Sequence, residues 1–385
     1  MGRAAERDSL IVSLVTCWPG PEIYELEGHE ALRIRSSEGT DSVWNYGLFD
    51  FSEPNFVFRF VKGETDYRLG AYPFAWFLPQ YAEQNRRVVE QELSLTQDEA
   101  HRLREILRLK ALPQNARYRY KYLTDNCATR IVANLDSATE GGIRYPDSAM
   151  WGSYRDAMRA YHANYPWYQF GIDLALGSGI DRRISARDEM FSPMRLVEMA
   201  RGASFADGRP LVKDEKVLFP GADAVLAPTP WWATPLFWSF VALILSSVVC
   251  AIDIRRGMLF KPFYSLWFLL TGLAGVLVAF LVLVSSHEAT SPNVLIIWLN
   301  PIGLLIAAFL WWRKLAILET ILVGVNLLGS GILLLIWMFQ PQSANPAFFP
   351  LMAVSVILST TILILNRRPA SKPAQARRRN RPRRK

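Results

Sequence analysis

The chain has 385 residues and a formal net charge of +8, and its composition divides it into a mixed N-terminal part and a strongly apolar C-terminal part. Ten basic residues and no acidic ones follow Asn366, so the preceding residues carry a small net negative charge. The basic character belongs to a tail, which excludes a basic nucleic-acid-binding domain as its source. Three cysteines, in places that cannot easily meet, exclude a disulfide framework.

The first residues form a poor signal peptide. The apolar run LIVSLVTCW (residues 10–18) is short, the charged Arg7 and Asp8 come just before it, and no small-x-small cleavage site follows. We therefore interpret this run as a buried β-strand. We also hypothesise that the true signal sequence is missing from this start.

A β-hairpin is predicted next. Residues Ala31–Arg35 alternate between apolar and polar side chains, turn-forming residues follow, and Ser42–Gly47 returns as the partner strand. If the strand is regular from His29 onward, the histidine lies on the opposite face from Leu32 and Ile34. It would then face a site or solvent, and the alternative is an ordinary histidine at the start of a strand.

An aromatic-rich stretch extends from Phe49 to Phe77. Within it, Phe56–Val61 and Thr65–Leu69, joined around Gly63, predict a second hairpin. The aromatic side chains suggest a groove for an acyl chain, although aromatic residues in hairpins more often belong to the core. The sequence leaves both interpretations open.

Two capped helices follow. Thr96 and Glu99 form a capping box in front of a helix whose apolar residues recur at helical spacing. Asp125 or Asn126 can cap the next helix, which places Cys127 in its first turn. Free N–H groups and the positive end of the helix dipole favour a thiolate there, and the thiolate is the nucleophilic form of cysteine.

Cys127 is therefore a candidate nucleophile, and His29 is its candidate base. Arg130, one turn further along the helix, can add positive potential or bind an acidic group. The alternative is that Cys127 is a small buried apolar residue at a helix start. A glycine-rich stretch at 171–181 lacks the strand–GxGxxG–helix context of a nucleotide site, and we predict neither a cofactor nor a metal.

The region after residue 231 contains five candidate membrane spans, each of about 20 residues, the length that crosses a bilayer. They are Ala233–Ile252, Phe263–Ser285, Val294–Trp312, Leu315–Phe339 and Phe348–Leu365. The sequence thus predicts a globular domain over residues 1–230, a membrane domain over 231–366 and a basic disordered tail over 367–385.

The loops between the spans predict the orientation in the membrane. The first and third connections and the tail are basic, whereas Ser286–Asn293 and Gln340–Ala347 contain no lysine or arginine. The positive-inside rule then places the tail in the cytoplasm, over anionic lipid, and the N-terminal domain in the periplasm. His287 and Glu288 lie on the same side as that domain, where they can meet lipid headgroups, assist proton transfer or simply be solvated.

Several segments together resemble one protein family. SLVTCWPG, GHEALRIR, VWNYGLFDF, NFVFRFVKGETDY, YRYKYLTDNCATRI and FGIDLALGSGIDR are similar to the Lnb-type lipoprotein N-acyltransferases over most of residues 10–215. HEATSPNVLIIWLNP extends the similarity weakly into the membrane part, and DNCATR together with GH is its specific element. The chain departs from the family in lacking a signal peptide, and in having Leu26-Glu27 before Gly28-His29 where an aromatic residue is expected.

The resemblance implies an α+β domain with a circularly permuted papain-like (NlpC/P60-type) fold, followed by an all-α membrane domain of five transmembrane helices. It implies Cys127 as the nucleophile and His29 as the base. No motif fixes the third polar group; we choose Asn45 on the neighbouring strand, because an amide there can hold the tautomer of the imidazole. The expected supporting residues, for the helix cap, the oxyanion and local charge, are Asn126, Asp125 and Arg130.

The implied activity is a two-step acyl transfer in the bacterial inner membrane. An acyl chain would pass from a membrane phospholipid, through a Cys127 thioester, to the N-terminal amine of a lipoprotein. One alternative is a membrane-tethered thiol amidase or peptidase that cuts peptidoglycan. The other is a non-catalytic membrane scaffold, which should have polar pathway residues in its spans, where Glu319, Asn300 and Asn326 are the notable ones.

Overall fold

The computed structural model describes residues 8–50, 52–222 and 228–367. These residues divide into two compact units. The first contains the chain up to Ile172, Leu176–Thr229 and the loop Val284–Ser291, and the second contains Asp173–Ala175, Pro230–Leu283 and the chain from Pro292 onward. The predicted tail lies outside the described residues apart from Arg367.

The N-terminal part of the chain mixes strands and helices. The strands are β1 Leu10–Cys17, β2 His29–Ser36, β3 Asp41–Leu48, β4 Asp66–Pro73, β5 Val88–Leu93, β6 Arg117–Arg119, β7 Ile143–Arg144, β8 Ser204–Phe205 and β9 Val212–Phe219. The helices are α1 Phe56–Lys62, α2 Phe74–Glu83, α3 Gln97–Lys110, α4 Cys127–Ala138, α5 Tyr154–Tyr161, α6 Pro166–Ala175 and α7 Pro193–Gly202.

Seven strands form one antiparallel sheet in the order β6-β4-β3-β2-β1-β5-β9, and β7 pairs with β8 separately. The predicted strand at residues 10–18 is confirmed as β1, and the predicted hairpin is confirmed as β2 and β3. In the register of β1 and β2, Cys17 lies opposite His29. The pairing of β2 with β3 runs from Leu32–Trp44 to Arg35–Asp41 and so begins three residues after His29.

Helices cover both faces of the sheet. On one face, α3, α4 and α7 share a core with residues of β1 and β2 that include Leu14, Leu32 and Ile34. On the other face, α2 packs on a second core that includes Ala31. Leu32 and Ile34 are thus separated from Ala31, as the alternation of side chains along β2 predicts. The capping box of Thr96 at the start of α3 is also confirmed.

The predicted second hairpin is wrong. Residues Phe56–Lys62 form α1, which ends at Gly63 in the left-handed conformation with φ 77°. β4 pairs instead with β3 and β6. The prediction took Gly63 as the turn between two strands, whereas this glycine is the C-cap of α1, and α1 has no buried residue.

The second unit is helical. Its helices are α8 Pro235–Arg256, α9 Lys261–Leu283, α10 Ile302–Phe309, α11 Ala316–Ile336 and α12 Phe348–Asn366. Four helical stretches in the described residues are long and apolar enough to cross a membrane: Pro235–Arg256, Lys261–Leu283, Arg313–Phe339 and Phe348–Asn366. The third predicted span is the exception, because it forms only the shorter apolar stretch Val294–Phe309.

The helix is interrupted within that shorter stretch. A 3₁₀ turn at Val294–Ile297 is separated from α10 by a segment that contains Asn300 and Pro301. Proline has no N–H to continue a helix, and Asn300 bonds the local backbone, since Nδ2 donates to the Ile297 carbonyl at 3.1 Å and Oδ1 accepts from the Ile302 N–H at 3.2 Å. The prediction of five full-length spanning helices is therefore corrected to four and one broken, shorter segment.

The polar residues of the predicted spans bond one another. Asn326 accepts from Ser359 Oγ at 3.2 Å, and Glu319 accepts from Asn366 Nδ2 at 3.2 Å. Such bonds join α11 to α12 within the helical unit. They give these two residues a role in helix packing, and Asn300 has its own local role at the break.

Candidate active site

Cys127 is the first residue of α4, and Asn126 caps that helix. Asn126 Oδ1 accepts from the Thr129 N–H at 3.0 Å, while Thr129 Oγ1 accepts from the Asn126 N–H at 2.8 Å. Asn126 Nδ2 also donates to the carbonyls of Tyr122 and Phe191, both at 2.8 Å. Every polar group of Asn126 is used, so the helix start that carries Cys127 is held from three directions.

The Cys127 sulfur is buried and surrounded by backbone donors. The backbone N–H groups of Glu30, Ala128 and Cys127 face it and lower the pKa of the thiol, whereas burial raises it to about 12. Burial outweighs the donors, and the resting sulfur is a neutral thiol. The expectation of a thiolate from the helix start alone is therefore corrected, because the side chain lies in the core.

His29 is oriented by Asn45. His29 Nε2 lies 2.6 Å from Asn45 Oδ1, and Asn45 Nδ2 donates to Tyr72 Oη at 2.9 Å. Because the amide oxygen faces the ring, Nε2 carries the proton and Nδ1 keeps the lone pair of a base. Burial lowers the pKa of His29 to about 4, although the bond to Asn45 opposes that shift, so the imidazole is neutral at pH 7.

Arg86 and Tyr81 complete the surroundings of the imidazole. The ring of Tyr81 stacks on His29 with centroids 6.2 Å apart, and the Arg86 guanidinium lies 4.9 Å from the Tyr81 centroid. Arg86 also pairs with buried Glu25 at 2.8 Å. We call His29, Asn45, Tyr72, Tyr81, Arg86 and Glu25 the histidine cluster.

The Glu30 amide lies against the Cys127 sulfur. The N–H that faces Cys127 Sγ belongs to the peptide bond between His29 and Glu30. Gly28, just before His29, has φ 78°, and a Cβ there would lie 2.6 Å from the Cys17 carbonyl oxygen. Only glycine fits this close turn, which sets the entry of the chain into β2.

Asp125 and Arg130 interact with each other. Arg130 Nη2 donates to Asp125 Oδ2 at 2.7 Å, and the guanidinium lies 3.6 Å from the centroid of the Tyr118 ring. Both predicted supporting charges are thus partnered locally, and Asn126, not Asp125, is the helix cap.

His287 and Glu288 lie at a different place in the same unit. The His287 ring bonds the Phe60 carbonyl of α1 at 2.7 Å, and Glu288 pairs with Lys121. Ser286 adds to this contact, since its N–H donates to the Lys62 carbonyl at 2.8 Å. These bonds hold the loop Val284–Ser291 against α1 and the chain after β6.

The sequence analysis missed two buried carboxyl groups that flank His29, Glu27 and Glu30. The local signal was present, because Glu27-Gly28-His29-Glu30 puts two acidic residues beside the candidate base. Glu30 accepts from Thr16 Oγ1 at 2.8 Å. No group of three or more His, Cys, Asp or Glu side chains that fits a metal ion occurs in the described part of the chain.

Two family models match the chain. The Lnb N-terminal periplasmic domain matches residues 3–160, and the Lnb transmembrane domain matches residues 227–369. The chain belongs to the Lnb-type lipoprotein N-acyltransferase family. The resemblance found in the sequence is therefore confirmed. No curated protein and no solved structure matches the chain.

Membership of the Lnb family identifies a lipoprotein-modifying enzyme of the inner membrane with a periplasmic N-terminal domain. The name of the family's membrane model denotes five helices, and this structure has four helices of spanning length and the broken stretch Val294–Phe309 in the corresponding region.

Proposed function

We propose that this Lnb family member is a thiol acyltransferase in which Cys127 is the nucleophile, His29 the general base and Asn45 the residue that orients the base. The observation that carries the proposal is the contact between the Glu30 N–H and Cys127 Sγ. Through it the sulfur lies beside the peptide bond of His29, although the two residues are about a hundred positions apart in the sequence. The neutral thiol and the neutral imidazole are the protonation states that general-base activation requires.

In the first half-reaction, His29 Nδ1 takes the proton of the thiol, and Cys127 Sγ forms a bond to the ester carbonyl carbon of a membrane phospholipid. The carbonyl oxygen gains the negative charge, and the backbone N–H groups around the sulfur stabilise it. The ester C–O bond then breaks. His29 returns its proton to the departing lyso-lipid alcohol, and the acyl chain stays on Cys127 as a thioester.

In the second half-reaction, the neutral α-amino group of a diacylglyceryl-cysteine lipoprotein attacks the thioester carbon. The carbon–sulfur bond breaks, and His29 carries a proton from the amine nitrogen to the sulfur. The products are an N-acylated lipoprotein and the free thiol. A membrane-bound enzyme suits this reaction because both substrates lie in the bilayer, where tethering raises their effective concentration.

A circularly permuted papain-like (NlpC/P60-type) fold is our proposal for the N-terminal domain. It is supported by the order of the parts, because a histidine strand precedes the cysteine helix and an amide accompanies the histidine. We also propose a cytoplasmic position for the basic tail, over anionic lipid, on the strength of the positively charged loops.

The test is acyl transfer by the purified full-length protein in phospholipid nanodiscs. The phospholipid carries deuterated acyl chains, the acceptor is a synthetic diacylglyceryl-cysteine lipopeptide with unlabelled chains, and tandem mass spectrometry locates the label. We expect a deuterated acyl group on the α-amino nitrogen, and none with Cys127→Ala. Because the acceptor has ester-linked chains of its own, an unlabelled N-acyl group would reject the phospholipid as donor and retain the thiol acyltransferase.

The alternative functions give different results in the same preparation. A peptidoglycan amidase or peptidase would release fragments from purified sacculi in a Cys127-dependent manner and leave the lipopeptide unmodified. A non-catalytic scaffold would do neither. The internal hydrogen bonds of Asn326 and Glu319 give no support to a polar pathway through the membrane unit.

A further inference from the structure

A buried carboxyl group close to Cys127 has no part in the mechanism above. Glu27, two residues before His29, is 9% exposed, and its Oε1 atom has no hydrogen-bond partner within the described residues. The Tyr122 hydroxyl donates to the same carboxyl group. A buried carboxyl oxygen without a partner costs free energy, so its presence points to a ligand that completes it.

Two other buried glutamates of the same unit show what a structural carboxylate has around it. Glu25 pairs with Arg86 at 2.8 Å. Glu189 accepts from Arg195 Nε at 3.0 Å and from two backbone N–H groups. Both have a guanidinium partner, and Glu27 forms no ion pair with any described residue. Glu30 shares this lack of an ion pair, and its Oε1 atom also has no partner among the described residues, although Thr16 Oγ1 donates to its Oε2. Glu27 and Glu30 are thus the two buried carboxyl groups beside His29 that a cation from outside the chain can complete.

Glu27 also differs from Glu30 in ionisation. Burial raises the pKa of Glu30 well above its ordinary range, and the hydrogen bond from Thr16 Oγ1 opposes that shift. Burial raises the pKa of Glu27 to about 7, and the hydrogen bond from Tyr122 opposes the shift. At neutral pH both the carboxylate and the acid form of Glu27 are populated, which suits a group that gains and loses a proton.

Tyrosines form part of the electrostatic environment of this carboxyl group. Four phenols interact with it electrostatically: Tyr120, Tyr122, Tyr161 and Tyr168. Each of the four is half-buried. We call Glu27 and these four tyrosines the Glu27 cluster. A carboxylate among aromatic rings attracts an organic ammonium, because the charge and the ring faces both favour a cation.

Tyr120 links the Glu27 cluster to the nucleophile. Its phenol interacts electrostatically with both the Cys127 sulfur and the Glu27 carboxyl group. Glu27 is also joined to His29 through Gly28 alone. The backbone N–H of Glu30, three residues after Glu27, faces the Cys127 sulfur, so the chain itself keeps Glu27 in the neighbourhood of the nucleophile.

We propose that the Glu27 cluster binds the α-ammonium group of the acceptor and that Glu27 accepts the proton which this ammonium must lose before it attacks the thioester. The step is balanced: the ammonium N–H bond breaks, the carboxylate of Glu27 becomes a carboxylic acid, and the amine keeps the electron pair that forms the new C–N bond. Glu27 gives the proton to solvent after the product leaves. This inference rests on the proposed acyl transfer and assigns the acceptor's binding group.

The test compares two amines that discharge the same acyl-enzyme. The full-length protein is first acylated in phospholipid nanodiscs and then mixed with the lipopeptide, whose amine is charged at neutral pH, or with hydroxylamine, which is uncharged there. For Glu27→Gln we expect unchanged acylation and unchanged discharge by hydroxylamine, but discharge by the lipopeptide about 10²-fold slower. Glu38→Gln, which removes an exposed carboxylate near the β2–β3 turn, is the matched control and should behave as wild type.

Three results would overturn the inference. Discharge of Glu27→Gln that is slowed equally with both amines would mean a general disturbance of Cys127, and discharge by the lipopeptide at the wild-type rate would mean that Glu27 is not involved. If wild-type protein forms no acyl-enzyme, the proposed acyl transfer fails and this site fails with it. Should Glu27→Gln not fold, Tyr122→Phe removes only the hydroxyl that donates to Glu27, and the same selective slowing is expected, to a smaller extent.

Discussion

Glu27 and His29 are the two sequence neighbours of Gly28, and each is the centre of one of the two clusters. The clusters differ in how the central side chain is bonded. In the histidine cluster, Asn45 bonds both His29 and Tyr72, and the charge of Arg86 is matched by Glu25, although Arg86 Nη2 has no hydrogen-bond partner among the described residues. In the Glu27 cluster, the carboxyl group has a tyrosine donor and an oxygen without a partner.

The base of the site is held in place before the substrate arrives, whereas Glu27 still has an open position for a ligand. The hydrogen bonds that link Tyr72 through Asn45 to His29 fix the imidazole in one geometry, which is what an oriented base needs. A buried group with an open position is costly in the free protein, and a ligand can remove that cost. We therefore expect mutations in the histidine cluster to affect chemistry or folding, and mutations in the Glu27 cluster to affect the acceptor.

The largest expected effect is on acyl-enzyme formation when His29 is replaced. His29→Ala removes the general base, and the rate of acylation by phospholipid should fall by about 10²–10⁴-fold. His101→Ala, in α3, is the control and should leave the rate unchanged. Rapid-quench mass spectrometry measures the rate, and a His29→Ala protein that acylates normally would remove the histidine cluster from the chemistry.

Arg86→Met tests the structural role of the same cluster. It leaves the Glu25 carboxylate buried without its partner, so the free energy of unfolding should fall by about 3–5 kcal/mol. Glu27→Gln, by contrast, removes a carboxylate that forms no ion pair with the described residues. It should change the free energy of unfolding by less than about 1 kcal/mol. Thermal unfolding in detergent compares the two. Equal destabilisation would erase the distinction between the two clusters.

The smallest expected effect is on the pH dependence of Cys127 alkylation. This dependence distinguishes a neutral thiol and imidazole from a thiolate–imidazolium pair of Cys127 and His29. The pKa of Cys127 is raised to about 12 and that of His29 is lowered to about 4, both through burial. The thiolate fraction, and with it the rate of alkylation by iodoacetamide, should rise about tenfold per pH unit through the neutral range. A rate that is independent of pH there, measured on the Cys127 peptide, would indicate a thiolate–imidazolium pair instead.

Local signals were enough to predict the parts of the site that depend on neighbouring residues. Alternation predicts β2 and β3, and cap residues predict that Cys127 begins a helix. Asn45 was chosen as a polar residue on the strand next to His29, and the structure puts its oxygen 2.6 Å from the ring. Its catalytic role stays a prediction.

The features that sequence reasoning missed depend on tertiary packing. Tyr161 and Tyr168 come from α5 and α6, more than a hundred residues after Glu27, and no spacing rule connects them. The neutral Cys127 thiol follows from burial by the surrounding core, which outweighs the helix start. Two apolar segments, α1 and the broken stretch Val294–Phe309, were assigned the wrong element from their apolar residues. Gly63 ends α1, and Pro301 interrupts the helix in the broken stretch.

The central claim is that Cys127 carries the acyl chain, and the most direct measurement is peptide mapping of the acyl-enzyme. The wild-type protein is incubated with phospholipid and no acceptor, quenched in acid, digested and analysed by tandem mass spectrometry. We predict one acyl chain on the peptide that contains Cys127, released by hydroxylamine and absent from Cys127→Ala. An adduct on Cys17 instead, or no adduct while the lipopeptide is still acylated, would contradict the account.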